Sequence, residues 1–378
     1  MKMKKNKNSL VNEEDSNPST DANSSSNKTL VKLKELLLSS YAKFVARKAI
    51  FYLVVVFFSV SLVFIVIESM PGDPVDVMIS HGNPPPGTDI NVLRETMREY
   101  FGRNQPIQYR YINYLLNFFT GNLGQSYYFF PVKVWNIIQY YLPYTLALAI
   151  PVLSISFFLG NWIGARAAYL KGKMNETSYF SLVFCNQLPP FWLGLVIIFL
   201  YVVVARFLMS IGFNILPIPP IGSSTQGVIP SLSISYFLDL VEHWILPFVT
   251  LLIVYIGAWA TGMRSMVTHE MDAGYVRYGE QLGFKKKKLM AYTQRNAILP
   301  QLTGLNMVFN GIIGQTIVIE IVFGWPGLGL LLFNAVFNYD YPVIFGCFMV
   351  IIIIIVLGNF LIDILYGFVD PRIRTGHG

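Results

Sequence analysis

The chain has 378 residues, of which 54% are hydrophobic and only 13% are charged, against about 25% charged in an average soluble domain. A soluble protein this poor in charge would struggle to cover its surface, whereas a membrane protein needs charge only where it meets water. The formal net charge of +7 does not indicate a nucleic-acid surface, because much of the basic excess lies beside hydrophobic segments and there sets orientation in a bilayer.

Six charge-free stretches are long enough to cross a membrane as helices, which takes about 20 largely apolar residues. They are Ala49–Ile67, Tyr144–Ile163, Tyr179–Ala205, Trp244–Met263, Ala297–Ile319 and Pro342–Ile362. The third contains Pro189 and Pro190, so we predict a kink or a break there. Residues 1–44 before the first stretch are largely polar, which is typical of a disordered tail.

Lys and Arg flank these stretches on alternate connections. They occur at 43–48, 166–173, 264–295 and 372–374, and are missing from 209–242 and 323–341. Since cytoplasmic loops carry an excess of Lys and Arg, both chain termini are predicted to lie in the cytoplasm.

The connection 69–143 is the largest segment predicted outside the membrane, because long loops cross largely regardless of their charge. Residues 91–100 predict a short polar helix. Residues 111–119 space apolar side chains three and four positions apart, which predicts an amphipathic helix. A packed external cap and a docking surface for a partner protein both remain compatible with this segment.

The second stretch carries small residues four positions apart, at Gly160, Gly164 and Ala168. That spacing lets two membrane helices approach closely. The acids nearest to the apolar stretches, Glu320 and Asp363, lie at their ends. A proton-coupled carrier usually buries its acids near the midplane, so this placement disfavours one.

The fifth stretch is unusually polar. On a helical wheel Thr303, Asn306 and Asn310 share one face, and Gln301 and Gln315 fall on roughly the opposite side. Both faces cannot point to lipid, so one is predicted to line a path for solute and the other to bond to neighbouring helices. The path candidates are Thr303, Asn306, Asn310 and Gln315, with interhelical hydrogen bonding as the alternative.

The sequence contains no motif for catalysis or for ATP binding. No G-x-x-x-x-G-K-[ST], H-E-x-x-H or G-x-S-x-G occurs. Cys185 and Cys347 fall in apolar segments without a second ligand nearby, so neither a metal site nor a disulfide framework is expected. If the protein moves solute against a gradient, another chain must hydrolyse ATP, and the cytoplasmic connection 264–299 is the place to receive that force. Its four lysines at 285–288 are typical of a solvated face or a lipid-headgroup contact.

This connection resembles the cytoplasmic "EAA" loop of ABC importer permeases, through Tyr275-Val276-Arg277, Gly283 and the run Arg295–Pro300. Over roughly residues 45–375 the chain is similar to the first permease of the oligopeptide/dipeptide/nickel importer family. The further matching fragments are Pro71–Pro74, Gly121–Ser126, Pro190–Gly194, Trp325–Gly329, Asp340–Pro342 and Asp370–Arg374. The chain departs from the family at Tyr278 and Gly279, where small alanines are usual.

The resemblance implies an all-α integral membrane protein with the fold of a type I ABC importer permease, six transmembrane helices and both termini cytoplasmic. The expected parts are a disordered tail at 1–44, a first transmembrane helix with a large extracellular loop at 45–143, and a permease core at 144–376. The core contains the coupling loop at 264–299.

The resemblance also implies partners in the cell membrane. They are a second homologous permease, two ATPase subunits or domains, an extracellular solute-binding protein and the bilayer, with no nucleic acid. This chain would bind no cofactor, and ATP and Mg would be used by the ATPase partners. The solute would be a peptide, with an oligosaccharide or a metal complex as alternatives. A secondary transporter or channel acting without ATPase is the alternative function, and a non-transporting scaffold is a third.

Two sets of residues follow from the resemblance. The expected ATPase-coupling residues are Asp272, Gly274, Tyr275, Arg277, Gly279 and Gly283. The expected external loop or gate residues are Trp325, Pro326, Gly327 and Asp340. No catalytic residue and no metal ligand is expected.

Overall fold

The computed structural model of the chain describes residues 18–70, 73, 75, 76, 78, 79, 84, 85, 87–169, 173–213, 221–224 and 233–369, and only the backbone of 18–40, 173–175 and 369. Within these residues the regular structure is α-helical, with one isolated antiparallel bridge between Gln125 and Lys133. The helices are α1 (Pro18–Glu68), α2 (Ile90–Tyr100), α3 (Ile107–Thr120), α4 (Val134–Tyr169), α5 (Lys173–Gln187), α6 (Pro190–Ser210), α7 (Ile234–Met271), α8 (Gly274–Gln281), α9 (Lys286–Thr303), α10 (Leu305–Phe323), α11 (Leu328–Phe337) and α12 (Tyr341–Val369).

Six helices of the described chain are long and apolar enough to cross a membrane, which confirms the predicted all-α protein with six transmembrane helices. They are Tyr41–Glu68 within α1, α4, α6, α7, α10 and Tyr341–Phe368 within α12. The two helices predicted in the connection 69–143 are present as α2 and α3. Of the fragment Pro71–Pro74, only Asp73 lies among the described residues, and Asp370–Arg374 lies outside them.

Two of the predicted stretches are divided into separate helices. The break expected at Pro189–Pro190 is confirmed, because α5 ends at Gln187 and α6 begins at Pro190. The prediction of one continuous fifth helix from Ala297 is wrong, since α9 ends at Thr303 and α10 begins at Leu305. Pro300 lacks the N–H that an α-helix needs and Gly304 is a poor helix former, so the helix is interrupted at Gly304.

The first helix is longer than the stretch that the sequence predicts. It begins at Pro18, inside the segment 1–44 that is expected to be disordered. Residues 30–38 contain five leucines, two lysines, one glutamate and one valine, and leucine, lysine and glutamate favour helix. Residues 1–17 lie outside the described part of the chain.

The described residues divide into two units. The smaller contains the residues up to Phe51 and those from Gly367, and within it a Cβ at Gly367 would lie 2.9 Å from Cε1 of Phe44. The larger runs from Tyr52 to Tyr366 and holds the extended hydrophobic core. The features below all belong to the larger unit.

The close approach of α4 and α7 organises the larger unit. A Cβ at Gly160 would lie 2.5 Å from Cβ of Trp259, and one at Gly164 would lie 2.4 Å from the carbonyl oxygen of Ala260. Elsewhere on α7, a Cβ at Gly257 would lie 2.3 Å from the carbonyl oxygen of Leu182 in α5. The helix contact predicted from the small residues is therefore confirmed at both glycines, since no side chain fits there.

A tryptophan on α7 satisfies a backbone carbonyl that a proline leaves free. Pro151 lies inside α4 and cannot donate to the carbonyl of Ala147, four residues earlier. The indole Nε1–H of Trp244 donates to that carbonyl at 3.0 Å. Inside a bilayer an unsatisfied carbonyl costs several kcal/mol, so this bond adds a directional contact to the α4–α7 pair.

We expect Gly164→Ala to destabilise the protein, because the new methyl group meets backbone that cannot rotate away. Overpacking of this kind costs about 1–3 kcal/mol. The matched control is Gly314→Ala in α10, where a Cβ meets nothing within 4 Å and the gain in helix propensity is about 0.5–1 kcal/mol. Thermal unfolding of the chain in detergent measures both. An equal effect of the two substitutions would contradict the close-contact explanation.

Candidate functional site

A short exposed helix, α8, connects α7 to α9. Val276 and Gly279 on one side of α8 are buried, whereas Arg277 and Tyr278 are exposed. A Cβ at Gly279 would lie 2.7 Å from Cδ2 of Leu289 in α9. Gly279, where the chain departs from the family pattern, therefore permits the close packing of α8 on α9. The opposite side of α8, with Arg277 and Tyr278, is exposed.

The remaining coupling candidates lie at the two ends of α8. Asp272 and Gly274 are exposed, and an oxygen of Asp272 lies 3.9 Å from the guanidinium of Arg277. The Tyr275 hydroxyl donates to Glu270 at 2.6 Å, and burial together with this bond raises the pKa of Tyr275 to about 12. At the other end Gly283 has φ +75°, a left-handed conformation that other residues rarely adopt. The structure brings all six predicted residues into one segment.

The four path candidates do not lie on one helix. Thr303 is the last residue of α9, where its hydroxyl donates to the Pro300 carbonyl at 2.6 Å. Asn306, Asn310 and Gln315 lie on α10. The break at Gly304 places Thr303 and the two asparagines on consecutive helices, and their grouping along a path for solute stays a prediction.

Both asparagines of α10 bond to α12. The side-chain nitrogen of Asn306 donates to Asp363 at 2.8 Å, and the oxygen of Asn310 accepts from Asn359 at 2.9 Å. Gln315 is half-buried, whereas Gln301 of α9 is buried. Interhelical bonding, the alternative left open by the sequence, is present at both asparagines, and contact of the candidates with solute stays a prediction.

The buried carboxylate of Asp363 connects three helices. Asp363 accepts a hydrogen bond at 2.8 Å from the hydroxyl of Tyr52 in α1, in addition to the one from Asn306 in α10. Sequence reasoning missed this role and treated Asp363 only as an acid at the end of a stretch. The sequence does place this acid near the end of a long apolar helix, and an acid in such a position normally has a partner.

Asp340 joins the segment 121–128 to the start of α12. It accepts from the Ser126 hydroxyl, from the Tyr127 N–H at 2.9 Å and from the Tyr128 N–H at 3.2 Å. The carboxyl group is buried, and burial raises its pKa although these donors act in the opposite direction. This predicted gate residue thus fixes the fragment Gly121–Ser126 against α12.

The other predicted gate residues pack into the protein rather than lying free outside it. Trp325 is buried, and its indole N–H donates to the Tyr144 carbonyl at 3.1 Å, while Pro326 is half-buried. Gly327 lies against Glu320, because a Cβ there would be 2.0 Å from the carboxyl carbon. The connection between α10 and α11 is therefore closely packed at each of these positions.

Glu320 is a second buried acid whose role sequence reasoning missed. Its oxygen accepts from the Gly329 N–H at 2.6 Å, and the Leu328 N–H donates to the Thr145 hydroxyl at 2.8 Å. Both donors belong to the first turn of α11, where helix amides lack intrahelical partners and favour negative charge. The two side chains thereby hold the start of α11 against α4 and α10. Among the described residues, no three His, Cys, Asp or Glu side chains are grouped as metal ligands.

Comparison with known proteins matches residues 159–375 to the family described as binding-protein-dependent transport system inner membrane component. The di/tripeptide transport system permease protein DppB of Pseudomonas aeruginosa is 29% identical over 347 residues, which cover 88% of this chain and 98% of that protein. The oligopeptide transport system permease protein AppB of Bacillus subtilis is 29% identical over 341 residues, covering 88% and 99%. A Brucella abortus relative, named for a peptide transport system permease, is 31% identical over 319 residues, covering 83% and 93%.

We expect Asp340→Ala to loosen the segment 121–128, because the substitution leaves the hydrogen-bond donors of Ser126, Tyr127 and Tyr128 without an acceptor. Each buried donor without an acceptor costs about 1–3 kcal/mol. Limited proteolysis of the folded protein would then cleave the segment 121–128 faster, and thermal unfolding would shift downward. Asn338→Ala, which removes an exposed bond to the Asn334 carbonyl, serves as the control. Unchanged cleavage in Asp340→Ala would show that this carboxylate does not hold the segment.

Proposed function

The chain belongs to the family of binding-protein-dependent transport system inner membrane components, and we propose that it forms one half of a pathway for the uptake of peptides. The protein is a multi-pass permease of the cell membrane. The observation that supports a driven permease is α8, a short helix with exposed aromatic and basic side chains inside the segment that matches the family. A helix anchored on one side and open on the other suits insertion into a groove of a partner.

Peptide is the solute that the relatives support best. Three relatives that cover most of this chain are named as permeases of peptide transport systems, which favours a peptide over an oligosaccharide or a metal complex. The same names favour a subunit of a larger transport system over a secondary transporter or channel. Polar side chains on α10 and α12 would contribute to the pathway, with Gln315 and the exposed Asn310 as the candidates for solute contact.

The proposal assigns ATP and Mg to partner subunits. The 378-residue sequence holds no G-x-x-x-x-G-K-[ST] loop, so two ATPase subunits or domains would bind and hydrolyse the nucleotide. A second, homologous permease would complete the pathway, and an extracellular binding protein would deliver the peptide. Closure of the ATPases would move α8, and α7 and α9 would carry that movement into the membrane. The resulting mechanism is alternating access.

The basic residues support a cytoplasmic position for α8 and for both termini. The connection between α7 and α10 has seven Lys and Arg residues over 264–299, and 323–341 between α10 and α12 has none. In that orientation the cluster around Asp340 and the segment 100–128 face the extracellular side. The binding protein would dock on that side.

Charge reversal on α8 tests the coupling role. We expect the double variant Arg277→Glu and Tyr278→Glu to lower peptide-stimulated ATPase activity of the assembled transporter by about tenfold, a size typical of coupling between sites. Gly283 is left unchanged because its φ of +75° makes any substitution there strained. The control is Lys287→Glu, an exposed charge reversal in the same connection but outside α8. Unaltered stimulation in the double variant, or failure of any ATPase to co-isolate with the chain, would refute the coupling proposal.

Cysteine labelling tests the orientation. Tyr109 in α3 and Tyr278 in α8 are both 63% exposed, so cysteines at the two positions are matched in accessibility. In a background with Cys185→Ala and Cys347→Ala, a membrane-impermeant maleimide should label Tyr109→Cys in intact cells. Tyr278→Cys should react only after the membrane is opened. Labelling of Tyr278→Cys in intact cells would reverse the orientation.

A further inference from the structure

A cavity of about 680 Å³ lies between the first halves of α4 and α7. It belongs to the larger unit, and the roles assigned above leave it without a function. Six of its twelve lining residues are aromatic and none is charged. Its volume falls within the range of about 300–1,000 Å³ that is usual for pockets that bind small molecules. Such pockets are lined mainly by apolar and aromatic side chains, with a few polar groups.

Two tryptophans of the lining are held in place by hydrogen bonds. The Trp244 indole N–H donates to the Ala147 carbonyl at 3.0 Å, and its ring is stacked on Phe248 with the centroids 4.1 Å apart. The indole N–H of Trp325 donates to the Tyr144 carbonyl at 3.1 Å. A ring that is already held loses little conformational freedom when a ligand packs against it. Since both N–H groups are occupied, these two side chains contribute apolar ring surface to the cavity.

The polar side chains of the lining are three tyrosines and one glutamine. Tyr144 of α4 and Tyr236 of α7 place their hydroxyls 3.2 Å apart, and a bond between two hydroxyls uses only one of their two hydrogens. Tyr140 is 49% exposed, and Gln139 is exposed as well. A ligand in the cavity can therefore reach a phenol and an amide at its edge without displacing a buried bond.

This combination of groups selects the occupant. Because no lining residue is charged, an ionised group that entered would lose its water without gaining a counter-charge. A lipid chain has no hydrogen-bonding group with which to use the phenol and the amide. A peptide has both an apolar side chain and main-chain N–H and carbonyl groups. An aromatic side chain suits the lining best, since aromatic rings gain from edge-to-face and offset packing beyond the burial of their area.

We propose that this cavity binds an aromatic side chain of a peptide solute, with the ring packed against Tyr140, Phe237 and Trp244. The exposed phenol of Tyr140 and the amide of Gln139 bond to the adjoining peptide groups. The proposal rests on the proposed function for the choice of peptide, and it adds a preference for one class of side chain to the permease itself. In the orientation proposed above, the cavity lies in the outer half of the membrane helices.

A series of three tripeptides tests the preference. The chain is purified with the membrane partners that co-isolate with it and without any extracellular binding protein, and binding is measured by titration calorimetry. We expect Ala-Phe-Ala to bind about tenfold more tightly than trialanine, as for the burial of a phenyl ring. Ala-Glu-Ala should bind no more tightly than trialanine, because the lining offers its carboxylate no counter-charge. Equal affinities for Ala-Phe-Ala and trialanine would overturn the proposal.

Two matched substitutions in α4 locate the site. Tyr140 and Trp135 are both 49% exposed, and only Tyr140 lines the cavity. Tyr140→Ala should therefore weaken Ala-Phe-Ala binding about fivefold, as for a lost aromatic pair, whereas Trp135→Ala should leave it unchanged. Both residues are half in solvent, so neither substitution should prevent folding, and thermal unfolding in detergent checks this. Equal losses of affinity in the two variants would place the peptide elsewhere.

Filling the cavity gives an independent test. Ala147 lines it and is exposed, so Ala147→Phe puts a ring into the space proposed for the solute. This variant should bind Ala-Phe-Ala no more tightly than trialanine. Ser154→Phe adds the same ring at an exposed position of α4 outside the lining, and it should keep the tenfold preference. A preference that survives in Ala147→Phe would contradict the proposal.

Two further measurements separate this proposal from its alternatives. If radiolabelled dodecanol binds in a manner that Ala147→Phe abolishes, and Ala-Phe-Ala does not compete with it, the cavity is a lipid site and the proposal is overturned. Uptake of trialanine by the complete transporter tests the proposed function alone, because trialanine has no aromatic side chain. If that uptake depends on this chain while the tripeptide preference is absent, the proposed function stands without the site.

Discussion

The packing of α7 between α4 and α5 is the contact on which the other features of the larger unit depend. In a bilayer, lipid tails are as apolar as leucine, so burial of apolar surface drives helix association only weakly. Close backbone approach supplies the missing attraction, and it is possible only where Gly160, Gly164 and Gly257 leave room. The indole bond from Trp244 to the Ala147 carbonyl adds a directional contact to the α4–α7 pair.

The proposed function depends on the helices to which α7 is connected. At its C-terminal end α7 leads through Asp272 and Ala273 into α8, whose buried side rests on α9 through Gly279 and Leu289. In the proposed mechanism a force on α8 would reach both neighbouring helices, because residues 272–273 alone separate α8 from α7 and residues 282–285 alone separate it from α9. Since α4 and α5 both pack closely against α7, the proposed movement of α7 would require both helices to respond.

Three buried carboxylates connect parts of the chain that are distant in sequence. Asp340 joins the segment 121–128 to α12, Glu320 holds the start of α11, and Asp363 links α1, α10 and α12. All three have polar partners inside the protein, which compensates for part of the cost of removing a carboxylate from water. Their common role is positional.

The sequence by itself determined the six membrane helices, the break at Pro189–Pro190, the glycines of the α4–α7 contact and the connection that contains α8. These features depend on local quantities, namely the length of an apolar run, the fixed geometry of proline, the spacing of small residues and the placement of Lys and Arg. Only the tertiary structure decided the hydrogen-bond partners of the buried acids. The reason is sequence distance: Asp340 and Ser126 are 214 positions apart, and no local pattern shows which donor a carboxylate will meet after folding.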